Sequence, residues 1–165
     1  MGFTAQVYSV LIASPGDVAP ARDAVESVIR GWNADRARAS GAVLLPLRWE
    51  LNAVSDLRLD PQSAINEQLV DHADIVIGLF DARLGTPTPR ALSGTVEELE
   101  RGVAAGVHVH AYFSDGPLPR DLDIDQLAAL RQFQAELRTR ALLTSYSSIQ
   151  DLVTKVRRAV EKDVT

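Results

Sequence analysis

The run Asp74-Ile75-Val76-Ile77-Gly78-Leu79-Phe80 constrains this chain more than any other stretch. After its opening aspartate it is apolar without alternation, rich in β-branched residues and too short for a helix. Such a run is a strand covered on both faces, so helices must lie above and below it. Ala5–Ser14, AQVYSVLIAS, is a second strand of this kind and ends at the turn signal Pro15-Gly16.

Helical periodicity fills the spaces between strands. Val18, Ala21, Val25, Val28, Ile29 and Trp32 recur at helical spacing over Asp17 to about Ala37, with Asp17 as the expected N-cap and Pro20 in the first turn. Ala42–Trp49 reads as a second strand, and Pro46 inside it assigns it to an edge. A polar connection over Asn52–Gln62 leads to a helix beginning at Pro61. Asp81–Ser93 is a loop with Gly85, Pro87 and Pro89. Thr95–Ala105 is a helix stopped by Gly106. Val107–Phe113 is a strand, and Ile124–Thr139 a helix with Leu127, Leu130, Phe133 and Leu137 on one stripe. Ala141–Ser145 is a short strand and Ile149–Val160 the closing helix. No repeat or linker divides the chain, so residues 1–165 are expected to form one domain.

Five βα units predict an α/β, three-layer, flavodoxin-like fold. Its parallel sheet has five strands in the order 2-1-3-4-5, with helices on both faces. Ligands of such sheets bind beyond the carboxyl ends of the strands, where the winding reverses, here between strands one and three. Three segments meet at that edge: Ser14-Pro15-Gly16-Asp17, Asp81-Ala82-Arg83-Leu84-Gly85, and the helix start in Ser93-Gly94-Thr95-Val96-Glu97-Glu98.

Each has an ordinary role and a chemical one. Ser14 to Asp17 is a strand-to-helix turn, or a turn whose glycine admits a ribose or phosphate. Asp81 is a cap, or a carboxylate for a sugar hydroxyl. Arg83 pairs with a neighbouring acid, or with a ligand phosphate. Trp49 is partial core, or a platform that stacks on a base. Thr95-Val96-Glu97-Glu98 matches the capping box, in which Glu98 serves the cap's own N–H. Glu97 then forms a helix pair with Arg101. Without further information the capping role of Glu98 is preferred.

Other chemistry is excluded. There is no cysteine, hence no disulfide or thiolate site. The histidines at 72, 108 and 110 lack metal-ligand spacing, and Asp121–Asp125 fails as an EF-hand at Gln126 and Gln132, so no metal is expected. Neither a P-loop nor a dinucleotide-binding fingerprint is present. A net charge of −5 with 17 dispersed cationic residues argues against direct nucleic-acid binding. No apolar run is long enough to span a membrane, and Gln6 replaces the hydroxyl of a myristoylation signal. The cytoplasm is the expected location.

VLIASPGDVAPARDAV, RWE, DIVIGLFDARLGTPT and SGTVEELERG together resemble bacterial TIR-like (DUF4062-type) domains, related to the nucleoside 2-deoxyribosyltransferase-like superfamily. The resemblance runs through YSSIQDL, nearly the whole chain. It implies an N-glycosidic bond at the site. Gly94-Thr95-Val96-Glu97-Glu98-Leu99 matches the G-T-x-x-E-L block of the transferases, which gives Glu98 the catalytic role. By the same resemblance Asp81 touches ribose hydroxyls and Ser14, Pro15, Gly16 and Asp17 bound the pocket. Trp49, Arg83 and Ser93 are the further candidate substrate contacts, from their own positions in the chain. The likeness to the transferases stops at Glu100-Arg101, where they carry small residues, and the TIR-type W-C-x-x-E form is absent.

The resemblance thus implies a NAD glycohydrolase effector of antiphage or immune signalling, with NAD as substrate rather than cofactor. Nicotinamide leaves neutral, so one carboxylate suffices for an oxocarbenium-like state. A nucleoside or nucleotide N-glycosidase or 2-deoxyribosyltransferase is the enzymatic alternative. The non-enzymatic one is a self-association module with TIR-like contacts. A sensor region or partner protein is also expected.

Overall fold

A computed structural model describes residues 1–165. Five strands, β1 (Gln6–Ala13), β2 (Ala42–Leu47), β3 (Ile75–Phe80), β4 (His108–Ser114) and β5 (Thr144–Tyr146), form one parallel sheet in the order β2-β1-β3-β4-β5. The expected flavodoxin-like arrangement is therefore the observed one. The connecting helices are α1 (Ala19–Ser40), α2 (Trp49–Asn52), α3 (Pro61–Gln68), α4 (Gly94–Ala105), α5 (Ile124–Arg138) and α6 (Ile149–Val164), with a 3-10 turn at Val70–His72.

All six residues of β3 are buried, as its unbroken apolar run requires. Its side chains feed two cores. On one face Ile75, Ile77 and Leu79 pack with Val25, Ile29 and Trp32 of α1 and Leu152, Val156 and Val160 of α6. On the other, Val76 and Phe80 pack with Val96 and Leu99 of α4 and Leu130 and Phe133 of α5. Phe80 stacks on Phe113 at 5.0 Å and meets Phe133 at 5.8 Å. Gly78 has no Cβ because Leu99 of α4 occupies that space.

Pro46 lies in β2, the outer strand, as expected for a residue without a ladder donor. Leu127 and Leu137 are half-buried, whereas Leu130 and Phe133 of the same stripe are buried. His108 and His110, on one face of β4, both approach Asp163 of α6, at 3.4 and 2.7 Å.

Several boundaries move. β2 ends at Leu47, and Trp49 opens α2 instead of closing the strand. α1 begins two residues after Asp17; its N-cap is Val18, with no side-chain cap. The Asp17 carboxylate accepts instead from the backbone N–H of Ala82, at 3.3 Å, tying the turn after β1 to the turn after β3.

Candidate functional site

The helix that carries Glu98 starts earlier than the capping box implies. Ser93 is its N-cap, and the Ser93 hydroxyl accepts from the Val96 N–H at 3.2 Å. Thr95 is inside the first turn and buried. The capping reading of Glu98 is therefore overturned, because the third helical position belongs to Val96. Ser93 itself is wholly buried beneath Gly85 and does not line the cavity described below. Gly85 has φ +106°, a backbone that favours glycine, and a Cβ at that position would fall 3.2 Å from the Ser93 Cβ.

Glu98 projects from α4 to the wall of a cavity of about 700 Å³ between the turns after β1 and β3 and the start of α3. Ser14, Pro15, Gly16, Trp49, Gln62 and Arg83 are among its other lining residues. Glu98 is 5% exposed, and the hydrogen-bond partner of its carboxyl is the Gln62 amide, whose Nε2 donates to Oε1 at 3.1 Å. Burial raises its pKa to about 7; the Gln62 bond opposes this, and the negative charges of Glu97 and Glu50 add to it.

Glu97 is buried too, but fully partnered. Thr88 donates to its Oε1 at 2.6 Å, Arg90 donates to Oε2 at 3.1 Å, and Asn66 Nδ2 also donates to Oε2. Burial alone would raise Glu97; these three bonds and the Arg90 charge outweigh it and hold the carboxyl below its usual range. The expected pair with Arg101 does not form, since Arg101 reaches Asp71 at 2.6 Å. Arg90 also grips Asp60, the N-cap of α3, with two bonds of 2.9 and 3.1 Å. The loop over residues 81–93 is thereby fastened to both helices that border the cavity.

The remaining candidates divide. Ser14 is held by Arg22 at 3.0 Å, and the same guanidinium donates to the Pro15 carbonyl at 3.1 Å. Trp49 is 46% exposed at the cavity. Arg83 makes one long approach to Asp123, 3.8 Å, so its guanidinium is nearly uncommitted. Asp17 and Asp81 line a different, smaller cavity with Ser114, Tyr146 and the start of α6. The physical reason is the strand's period of two: Phe80 faces α4 and α5, so the next residue points to the α1–α6 side with Leu79. There burial raises the Asp81 carboxyl, opposed by the Ser114 hydroxyl and reinforced by Asp17.

Sequence inspection missed Gln62, Asn66, Thr88 and Arg90. The first pair did leave a signal: two amides four residues apart occupy one face of α3, and both are buried. Gly94 completes that packing, because a Cβ there would fall 2.4 Å from Gln62 Oε1.

Fold and site together define a flavodoxin-like α/β domain whose buried Glu98 carboxyl faces a cavity at the switch point of its sheet. The chain belongs to the family described as "Domain of unknown function (DUF4062)", whose model matches residues 10–161. No curated protein matches the sequence. Among solved structures the chain is similar to the flavodiiron protein from Giardia intestinalis (13% identity, TM-score 0.48), covering 98% of this chain and 36% of that one. It is similar to the 2-desoxiribosyltransferase from Leishmania mexicana (19%, TM-score 0.35), covering 66% of this chain and 65% of that one. It is also similar to a TIR domain of the RPS4 and RRS1 heterodimer (13%, TM-score 0.46), covering 96% and 98%. The chain thus spans less than two thirds of the first two. No helix is long and apolar enough to cross a membrane, and no cluster of side chains has the arrangement of a metal site.

Proposed function

We propose that this domain hydrolyses the nicotinamide–ribose bond of NAD: the resemblance of its Gly94–Leu99 block implies an N-glycosidic bond at Glu98, and nicotinamide leaves neutral without a second acid. The observation that carries the reading is Glu98, a buried carboxyl at the wall of a cavity large enough for a nucleotide, bonded to a side-chain amide and not to its own backbone. In the reaction the C1′–N bond breaks, and its electron pair leaves with nicotinamide, which becomes neutral. Positive charge grows on the anomeric carbon, where the Glu98 carboxylate stabilises or traps it. Water then adds at C1′ and loses a proton, giving ADP-ribose.

The lining supports a substrate that needs no second acid. Asp60 is the cavity's other carboxylate, and its two bonds to Arg90 keep it ionised. Arg83 offers a charge to the diphosphate and Trp49 a surface for a ring. The same resemblance implies an effector in antiphage or immune signalling, joined to a sensor region or partner and assembling through TIR-like contacts. Incubating the protein with NAD at high protein concentration, and measuring free nicotinamide, tests the reading. Release is expected from the wild type and is lost in a folded Glu98→Gln variant. If neither protein releases nicotinamide, the reading fails.

One observation favours cleavage of nucleosides or nucleotides instead, as a hydrolase or a deoxyribosyltransferase. A carboxyl whose pKa is about 7 is part protonated near neutrality and can protonate a departing purine. Assays with NAD and deoxynucleosides side by side separate the two. If Glu98→Gln leaves cellular function intact, the domain acts as an association module.

A further inference from the structure

We propose that Gln62 is the positioning residue of Glu98, and that the Arg90–Glu97 ion pair on the rim dictates which end of its amide Glu98 meets. An amide side chain can present either a carbonyl or an N–H, and packing alone leaves the two nearly equivalent. Here the order is fixed by chemistry at the far end of a hydrogen-bond chain. Glu97, ionised beside Arg90, accepts only, so Asn66 turns its Nδ2 towards it. Asn66 therefore shows its Oδ1 to α3's other amide, and Gln62 answers with Nε2, at 3.1 Å. That same nitrogen has one hydrogen left, and it goes to Glu98 Oε1, also at 3.1 Å.

The consequence is directional. A reversed Gln62 would present Oε1, which an ionised Glu98 repels and only a protonated one could bond. The observed order gives Glu98 a donor and so favours its charged form against burial and against the neighbouring charges of Glu97 and Glu50. Gly94 leaves the space that the Gln62 amide oxygen occupies at the start of α4. The inference deepens the proposed function, and it rests on that reading only for the kinetic half of its test.

The test is a titration of the Glu98 side-chain carboxyl by NMR in ¹³C-glutamate-labelled protein, with the signal assigned by its loss in Glu98→Gln. Gln62→Met removes the donor while keeping the length of the side chain. Its expected midpoint lies about one pH unit above that of the wild type, the size of shift that losing one hydrogen bond to the charged form produces. Asn66→Leu retains Gln62 but frees its amide to reverse, so a smaller upward shift is expected. It also serves as the second variant if Gln62→Met does not fold. An unchanged midpoint in folded Gln62→Met overturns the positioning role, and an unchanged midpoint in folded Asn66→Leu overturns the dictation by the rim pair. With NAD, the acid limb of kcat moves by the same amount while KM changes little. A midpoint that shifts in protein without NAD turnover upholds this inference and sinks the NAD reading alone.

Discussion

Ser93 caps the helix on which Glu98 stands, its hydroxyl 3.2 Å from the Val96 N–H. The cap satisfies an orphan donor at the helix start, so Glu98 is not needed there and its carboxyl is available to the cavity. Replacing Ser93 by Ala is expected to cost about 1 kcal/mol, within the usual range for a lost cap. Replacing it by Gly is expected to cost only a few tenths through the cap itself. Urea unfolding of the two variants checks this; equal stability of Ser93→Ala and wild type would contradict the cap.

Glu98 makes the protein less stable as pH rises. Its folded pKa of about 7 exceeds the ordinary 4.5, so the folded state holds the proton more tightly. Its favourable contribution is complete below about pH 4.5 and is lost as pH rises through 7. The loss is on the order of 3 kcal/mol by pH 8. Glu98→Gln keeps an acceptor for Gln62 and removes that titration. Its stability relative to wild type should climb between pH 5 and 8 in parallel urea titrations, and a flat difference would refute the assignment.

Glu97 behaves with the opposite sign. Its bonds to Thr88, Asn66 and Arg90 hold it below the ordinary 4.5. Its contribution is therefore present above that value and lost as pH falls through the depressed folded one. Arg90→Ala leaves this buried carboxylate without its cation. The expected cost is about 1–3 kcal/mol at pH 7, shrinking as the solution is acidified. Thermal melts from pH 7 down to 3 would show the gap closing; a pH-independent gap would mean that Arg90 acts through packing alone.

On the proposed function, Arg83 is expected to separate phosphorylated from unphosphorylated substrates. Arg22 and Arg90 are engaged around the cavity by two or more partners each, whereas Arg83 has one approach of 3.8 Å. Arg83→Gln should raise KM for NAD roughly tenfold, the equivalent of about 1.4 kcal/mol, and leave that for nicotinamide riboside nearly unchanged. An equal effect on both substrates would remove Arg83 from the diphosphate.

The fold was legible because the information is local. DIVIGLF specifies a doubly covered strand, Pro46 an edge, and Gly106 the stop of α4, which it makes with φ +75°. The position of the cavity followed from strand order. Its occupants were harder to read. Asp81 sits at the correct edge, yet strand alternation sends it to the other side of the sheet, and no motif states where a strand's last pleat ends. Ser93 and Thr95 are both good caps two residues apart, and which one is used depends on how the preceding loop is tied down by Thr88 and Arg90. Gln62 and Asn66 lie 36 and 31 residues from the glutamates they hold, a pairing that exists only after α3 and α4 dock.

The two rims of the sheet bear on how copies of this domain can meet. The outer strand on one side is interrupted by Pro46, and the strand on the other is three residues long. Neither presents the unbroken row of amides and carbonyls on which a neighbouring strand could template itself. Higher-order assembly by sheet extension is thus disfavoured, and any contact between copies would fall to helix faces and loops.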